Sequence, residues 1–287
     1  MGFNTILIPV DFTVNTRVAI TKGIQLCEGP DPEIHLIHVP QVLTRGIFGY
    51  YRQLVSFFHD KKEQDNSGLQ QRLEECLSYI GKLRNDITTC YWIAYSTTIE
   101  KAIAHKARDL AADLIIIAKN SQHSLLPFLN TVVASRLAKQ TGISVLTVKP
   151  GALSSTLKTV VVPIKSNYPA NKVSIINELR KKFYLNIKLL LLVEKGDDPE
   201  KLRTSLVDTC RMLNDRSLDT ISYEILHAGK RNWDILSYCR KVDADLLIVN
   251  PGAETKIGWL NKHISDELPV NSKTQVLAVG QGNISLV

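Results

Sequence analysis

The chain predicts an α/β fold with a mostly parallel sheet, built twice in tandem. Three observations predict it. Short apolar, β-branched runs alternate with longer amphipathic segments along all 287 residues, the pattern of strands and helices in turn. The runs are nearly continuous in Ile, Leu and Val, as in strands covered on both faces. Three segments also recur in the same order. Thr5-Ile6-Leu7-Ile8-Pro9-Val10-Asp11 returns as Thr159-Val160-Val161-Val162-Pro163-Ile164-Lys165, Ala112-Asp113-Leu114-Ile115-Ile116-Ile117 as Ala244-Asp245-Leu246-Leu247-Ile248-Val249, and Val145-Leu146-Thr147-Val148 as Val276-Leu277-Ala278-Val279. Ordered recurrence of this kind marks an internal duplication.

In the first copy, strands are predicted at 5–10, 33–39, 90–95, 113–118 and 144–148. Helices fall between them, near 14–27, 67–85, 98–110 and 130–140. In the third of these, Ile99, Ala102, Ile103, Ala107 and Leu110 share one face at helical spacing. The segment Lys149 to Ser155 reads as a linker from its Pro, Gly and Ser. In the second copy, strands are predicted at 159–164, 187–193, 220–226, 245–249 and 275–279, and helices near 170–183, 198–213, 231–241 and 257–268. The domains are therefore read as 1–150 and 156–287.

The first match is offset by 154 residues and the second by 132, so the first copy holds about 22 extra residues. They fall after Val39, where Pro40 to Ser67 replaces the short stretch Glu194 to Asp198. Five of the chain's 19 aromatics lie there: Phe48, Tyr50, Tyr51, Phe57 and Phe58. Such an insertion is a packed cap, a ligand lid or an oligomer contact, or else a helical turn folded onto its own core.

Composition narrows the class. A hydrophobic fraction of 44% and a charged fraction of 22% are those of a globular protein. No apolar run approaches the ~20 residues of a membrane-spanning helix, so no membrane association is expected. Met1-Gly2-Phe3-Asn4 lacks the regions of a signal peptide. Five cysteines, an odd number without CxxC spacing, read as reduced thiols in a cytoplasm. The net charge of +7 divides as 16 Lys/Arg against 13 Asp/Glu in residues 1–150 and 19 against 15 beyond. Without clustering on one face, no nucleic-acid partner is expected.

The same segments resemble the universal stress protein family. Ile6-Leu7-Ile8-Pro9-Val10-Asp11-Phe12-Thr13 is similar to its opening strand, and Glu33-Ile34-His35-Leu36-Ile37-His38-Val39 to its second. Ile99-Glu100 through Ala112-Asp113-Leu114-Ile115 resembles its third helix and fourth strand, and Ser144-Val145-Leu146-Thr147-Val148 its closing strand. The second copy is similar in outline. The resemblance implies two five-stranded parallel-sheet domains, three-layer sandwiches of the adenine nucleotide alpha hydrolase-like type. It also implies that they pack as a pseudo-dimer with their last strands adjacent. Ligands of such folds sit at the carboxyl ends of strands where strand order reverses.

Family members that bind ATP or AMP carry Gly-x2-Gly-x9-Gly-Ser/Thr after the fourth strand. Glycines let backbone N–H groups approach phosphate, and the hydroxyl adds a hydrogen bond. In the first copy those positions are Ala118, Ser121, Thr131 and Val132. In the second, Asn250 and Ala253 take the first two glycine positions, and Gly252 is out of register. By the same resemblance Asp11 matches the acidic residue that contacts the nucleoside, and Pro9 and Val39 match pocket positions. The second copy keeps Pro163 and Val193 but has Lys165 in place of the Asp. Lys165 would favour an anion, or is a surface lysine. Asp11 touches ligand, or it caps the next helix or stabilises a turn.

No phosphate loop, GxSxG elbow, HExxH or DxDxDG pattern is present in the chain. His35 and His38, three apart in a strand, point to opposite faces and cannot share a metal. Gly280-Gln281-Gly282 opens no predicted helix and is no dinucleotide fingerprint. The expectation is a cytoplasmic, non-enzymatic, stress-linked binding or scaffolding module with a degenerate nucleotide pocket and no cofactor or metal. It would act as a homodimer or with an unidentified protein partner. The alternative is an ATP or AMP sensor working through the first domain only.

Overall fold

The structure, a computed structural model, describes residues 2–40, 58–96, 98–119, 132–165, 167–214, 219–227, 231–252, 254, 256–257 and 262–281. In the first half the chain runs β1 (Thr5–Pro9), α1 (Val14–Leu26), β2 (Glu33–His38), α2 (Phe58–Leu83), β3 (Thr88–Ile93), α3 (Ile99–Asp109), β4 (Leu114–Ala118), α4 (Ala134–Thr141) and β5 (Ser144–Val148). The second half runs β6 (Thr159–Ile164), α5 (Ala170–Arg180), β7 (Asn186–Val193), α6 (Pro199–Leu213), β8 (Thr220–His227), α7 (Arg231–Lys241), β9 (Leu246–Val249), β10 (Lys256–Ile257), β11 (Lys262–His263) and β12 (Gln275–Ala278).

One ten-stranded sheet spans both halves in the order β3-β2-β1-β4-β5-β12-β9-β6-β7-β8. Read outward from the middle, each half repeats the same connectivity. Pairing within each half is parallel. At the seam β12 meets β5 antiparallel, with Leu277 opposite Leu146. The last strands are therefore adjacent, as the resemblance implied. Helices cover both faces. One apolar cluster joins α1 and α2 to α5 and α6, and the other joins α3 and α4 to α7. On α3, Ala102, Ile103 and Ala107 are buried, with Ile99 and Leu110 packed at the margin, the face that the spacing predicts.

The repeated Ala-Asp has a structural reason. Asp113 Oδ2 accepts hydrogen bonds from the backbone N–H groups of Asn4 and Thr5, each at 2.9 Å. Asp245 Oδ2 does the same for Lys158 at 3.1 Å and Thr159 at 2.9 Å. In each half this carboxylate ties the start of the first strand to the start of the fourth, satisfying donors that the ladder leaves open.

Several boundaries differ from the sequence reading. Helix α2 begins at Phe58, nine residues before the predicted start at 67, so part of the aromatic insertion is helix. Phe48, Tyr50, Tyr51 and Phe57 lie outside the described residues. Strand β3 begins at Thr88 because its parallel register sets Thr88 against Glu33. Among the described residues of the helix predicted near 257–268, none is α-helical. Lys256 pairs with His263 and Ile257 with Lys262, antiparallel, and a single 3-10 turn follows at Ile264–Asp266. Apolar residues at helical spacing are overridden there by pairing across a reversal. The 149–155 connection is no loose spacer either. It holds a 3-10 turn at Pro150–Ala152, and Lys149 and Ala152 are buried.

Gly280 follows β12 and donates its N–H to Ser144 Oγ at 3.1 Å. A Cβ there would overlap the Gly142 carbonyl oxygen and lie 2.6 Å from the Ile143 carbonyl carbon. Bare backbone is thus required where the halves meet. Gly280→Ala should cost about 1–3 kcal/mol, as overpacking does, and lower the thermal midpoint; an unchanged midpoint would show that the seam yields.

Candidate functional site

In the first half strand order reverses at β1, which has β2 on one side and β4 on the other. Pairing with β2 continues to Pro9, but pairing with β4 stops at Leu7. Proline has no N–H to give, so the two strand ends part and a crevice opens between them. The second half repeats this: β6 pairs with β7 through Ile164 but with β9 only at Val160 and Val161, before Pro163.

Around the first crevice, Pro9, Val39 and Ala118 are buried. Val132 is fully buried and packs with the α3–α4 core, so its side chain serves packing. Ser121 and Thr131 lie outside the described residues. Asp11 follows β1, and its Oδ1 accepts three hydrogen bonds: from the Thr13 N–H at 3.0 Å, Thr13 Oγ1 at 2.7 Å and Thr16 Oγ1 at 3.0 Å. Thr13 is the N-cap of α1, where its hydroxyl accepts from the Asn15 N–H at 3.3 Å. Among the readings of Asp11, this geometry matches the turn: Thr13 caps α1, and Asp11 braces the turn that leads into it. His38 Nδ1 lies 2.8 Å from the Val10 carbonyl, which makes that nitrogen the donor. Desolvation holds its pKa below the usual imidazole value despite that bond. His35 instead meets Glu33 at 2.8 Å and Trp92 at 3.5 Å.

The second crevice is filled from within. Lys172, on α5 and 1% exposed, donates through Nζ to the Pro163 carbonyl at 2.6 Å and to Glu254 Oε2 at 2.7 Å. Glu254 Oε2 also accepts the Asn250 N–H at 2.7 Å, just past β9. The ammonium therefore bridges the carboxyl ends of β6 and β9 at the point of reversal. Burial lowers its pKa, and the Glu254 charge opposes that shift. Lys165 pairs with Glu194 at 2.8 Å, each side chain about a third exposed, so its charge is partly neutralised on the spot. Val193 is half-buried beside it.

Lys172 and Glu254 are absent from the sequence-derived residues. The recurrence held the signal: α1 and α5 start 156 residues apart, which places Thr16 opposite Lys172. A lysine among Val173, Ile175 and Ile176 on a buried helix face needs a partner.

Comparison with known proteins agrees with this geometry. The profile of the universal stress protein family matches residues 2–149, more than half of the chain. The chain belongs to that family. No curated protein matches it. Among solved structures, it is similar to a universal stress protein from Archaeoglobus fulgidus DSM 4304, at 14% identity and TM-score 0.63, covering 98% of each chain. It is also similar to a functionally unknown protein from Pseudomonas aeruginosa PAO1, at 14% identity and TM-score 0.57, covering 97% of this chain and 93% of that one. A third likeness is to a putative universal stress protein from Pseudomonas aeruginosa UCBPP-PA14, at 14% identity and TM-score 0.51, over 96% and 93%. At these identities the likeness concerns the fold.

In this universal stress family member the seam also carries charge. Lys119, directly after β4 and 1% exposed, reaches Asp266 Oδ1 of the second half at 2.9 Å. Lys149 is buried nearby, and desolvation lowers its pKa. His263 Nδ1 accepts the Ser265 N–H at 3.2 Å and lies 2.6 Å from Ser265 Oγ. Its Nε2 is buried without a hydrogen-bond partner among the described residues. Burial, reinforced by Lys119, pushes its pKa down to about 4. Among the described residues no group of three or more His, Cys, Asp or Glu could hold a metal ion, and no helix is long and apolar enough to cross a membrane.

Proposed function

We propose that this universal stress family member is a cytoplasmic, non-enzymatic binding or scaffolding module, acting as a homodimer or with a protein partner. In this reading its second half has lost its nucleotide pocket. One observation carries it: the Lys172–Glu254 pair occupies the strand-order reversal of the second half. A nucleotide entering there would have to break a buried ion pair that already satisfies the Pro163 carbonyl and the Asn250 N–H. Asp11, whose Oδ1 accepts from Thr13 and Thr16, supports the same reading for the first half.

A second reading, an ATP or AMP sensor working through the first half only, is favoured by Thr16. It holds the third position of α1 as Lys172 does of α5, and its short hydroxyl reaches Asp11 instead of bridging the strand ends. Equilibrium dialysis of the full chain with radiolabelled ATP tests both. The expected result is no saturable binding. One site per chain, lost in Asp11→Ala, would replace the scaffold reading with the sensor. Two sites per chain would overturn both.

A further inference from the structure

A cavity lies between the start of α1 and the middle of α2, beside the turn that holds Asp11. It measures about 270 Å³, and its walls include Phe12, Thr13, Arg17, Arg72, Glu75 and Tyr79. That is just under the usual ligand-pocket range of about 300–1,000 Å³, so it suits a small molecule and not a whole nucleotide.

Two arginines dominate it. The Arg72 guanidinium stacks over the Phe12 ring at 4.3 Å, and Arg17 lies over the Tyr79 ring at 4.7 Å. A stacked guanidinium is held by its face and keeps its in-plane N–H donors for an anion. Arg72 spends one donor on the Phe12 carbonyl, at 3.3 Å. Phe12 adopts φ 58°, a left-handed conformation that a bulky side chain rarely takes. The strain is held by neighbours: His38 lies against the ring, tilted by 39°, with centroids 4.7 Å apart, and Asp11 and Thr13 lock the turn. Backbone strain kept in place at a cleft wall is a mark of function.

The charge balance points the same way. Two arginines against Glu75 leave the lining at +1, and Gln71 donates to Glu75 at 3.3 Å. The first turn of α1 holds no acidic residue, but Asp11 just before it accepts the Thr13 N–H and offsets part of the helix dipole, so the guanidinium groups are the main positive charge of the cleft.

We propose that this α1–α2 cleft, walled by two arginine–aromatic stacks, binds a small phosphorylated molecule. It shares Thr13 and Thr16 with the turn that holds Asp11, so the reading is tested on Arg17 and Arg72, which take no part in that turn's hydrogen bonds to Asp11.

Calorimetric titration of the full chain with inorganic pyrophosphate at low ionic strength tests it, because exposed charges are screened at high salt. One saturable site per chain is expected. Arg17→Gln and Arg72→Gln should each weaken it about tenfold, the loss of a charge-assisted hydrogen bond. Lys201→Gln, which removes an exposed cation elsewhere on the surface, should leave the affinity unchanged. Circular dichroism would check that each variant is folded. Three results would overturn the proposal: no saturation in the wild type, both arginine variants within twofold of it, or an equal loss in Lys201→Gln. ATP dialysis can fail or succeed without altering any of these outcomes.

Discussion

Replacing Lys172 with methionine should lower the unfolding free energy by about 3–5 kcal/mol, the cost of leaving a buried charge without its partner. Glu254 would keep the Asn250 N–H but lose the ammonium that faces it at 2.7 Å. The Pro163 carbonyl would lose its donor as well. The double variant Lys172→Met, Glu254→Gln should recover most of the loss. A neutral amide oxygen still accepts from Asn250, and no charge is left stranded. Urea denaturation of the two single variants and the double variant gives the coupling directly. If both single variants cost under about 1 kcal/mol, the range of solvated surface pairs, the crevice is open to water and the proposed loss of the second pocket fails with it.

Acidification should weaken the fold through His263. In the unfolded chain this imidazole takes a proton near 6.5; in the folded chain burial holds it off until about 4. Between these values the unfolded state binds more protons, so stability rises with pH across the window. The contribution is complete above about 6.5, falls as pH drops, and levels off below about 4. The span is worth about 3 kcal/mol. The structural cause is specific. Nδ1 already accepts the Ser265 N–H, so a proton there breaks that bond, and the Lys119 ammonium opposes the new charge. Only Asp266 favours it. Carboxylates elsewhere titrate in the same range, so the measurement is the difference in stability between wild type and His263→Gln at each pH. That difference should shrink steadily from pH 6.5 to 4. A difference independent of pH would place His263 in water.

Legibility in the sequence varied with the kind of information. Strands β1, β6 and β5 lie close to their expected places, since a run such as Val160-Val161-Val162 can satisfy its side chains only in a sheet interior. The start of α2 was hidden because residues 58–66 are mostly polar and carry no apolar period. The 257–268 segment misled in the opposite way. Ile257, Leu260, Ile264 and Leu268 have helical spacing, yet two-residue pairing and the His263 cap decide the path. At the first crevice the sequence left Asp11 between two roles, and the hydroxyls of Thr13 and Thr16 match one of them. Lys165 stays between an anion site and a surface lysine in the sequence, because its partner Glu194 is 29 residues away along the chain.

The sequence by itself determined the duplication, the alternation of strand and helix, and the prolines and aspartates that open and brace each half. These are local or periodic signals, set by how a short stretch meets water and apolar neighbours. Tertiary structure alone decided which charges would meet. Lys172 finds Glu254 across 82 residues and Lys119 finds Asp266 across 147. No propensity or spacing encodes such pairs. Each exists because an ammonium withdrawn from water must find a carboxylate wherever the packed chain happens to bring one.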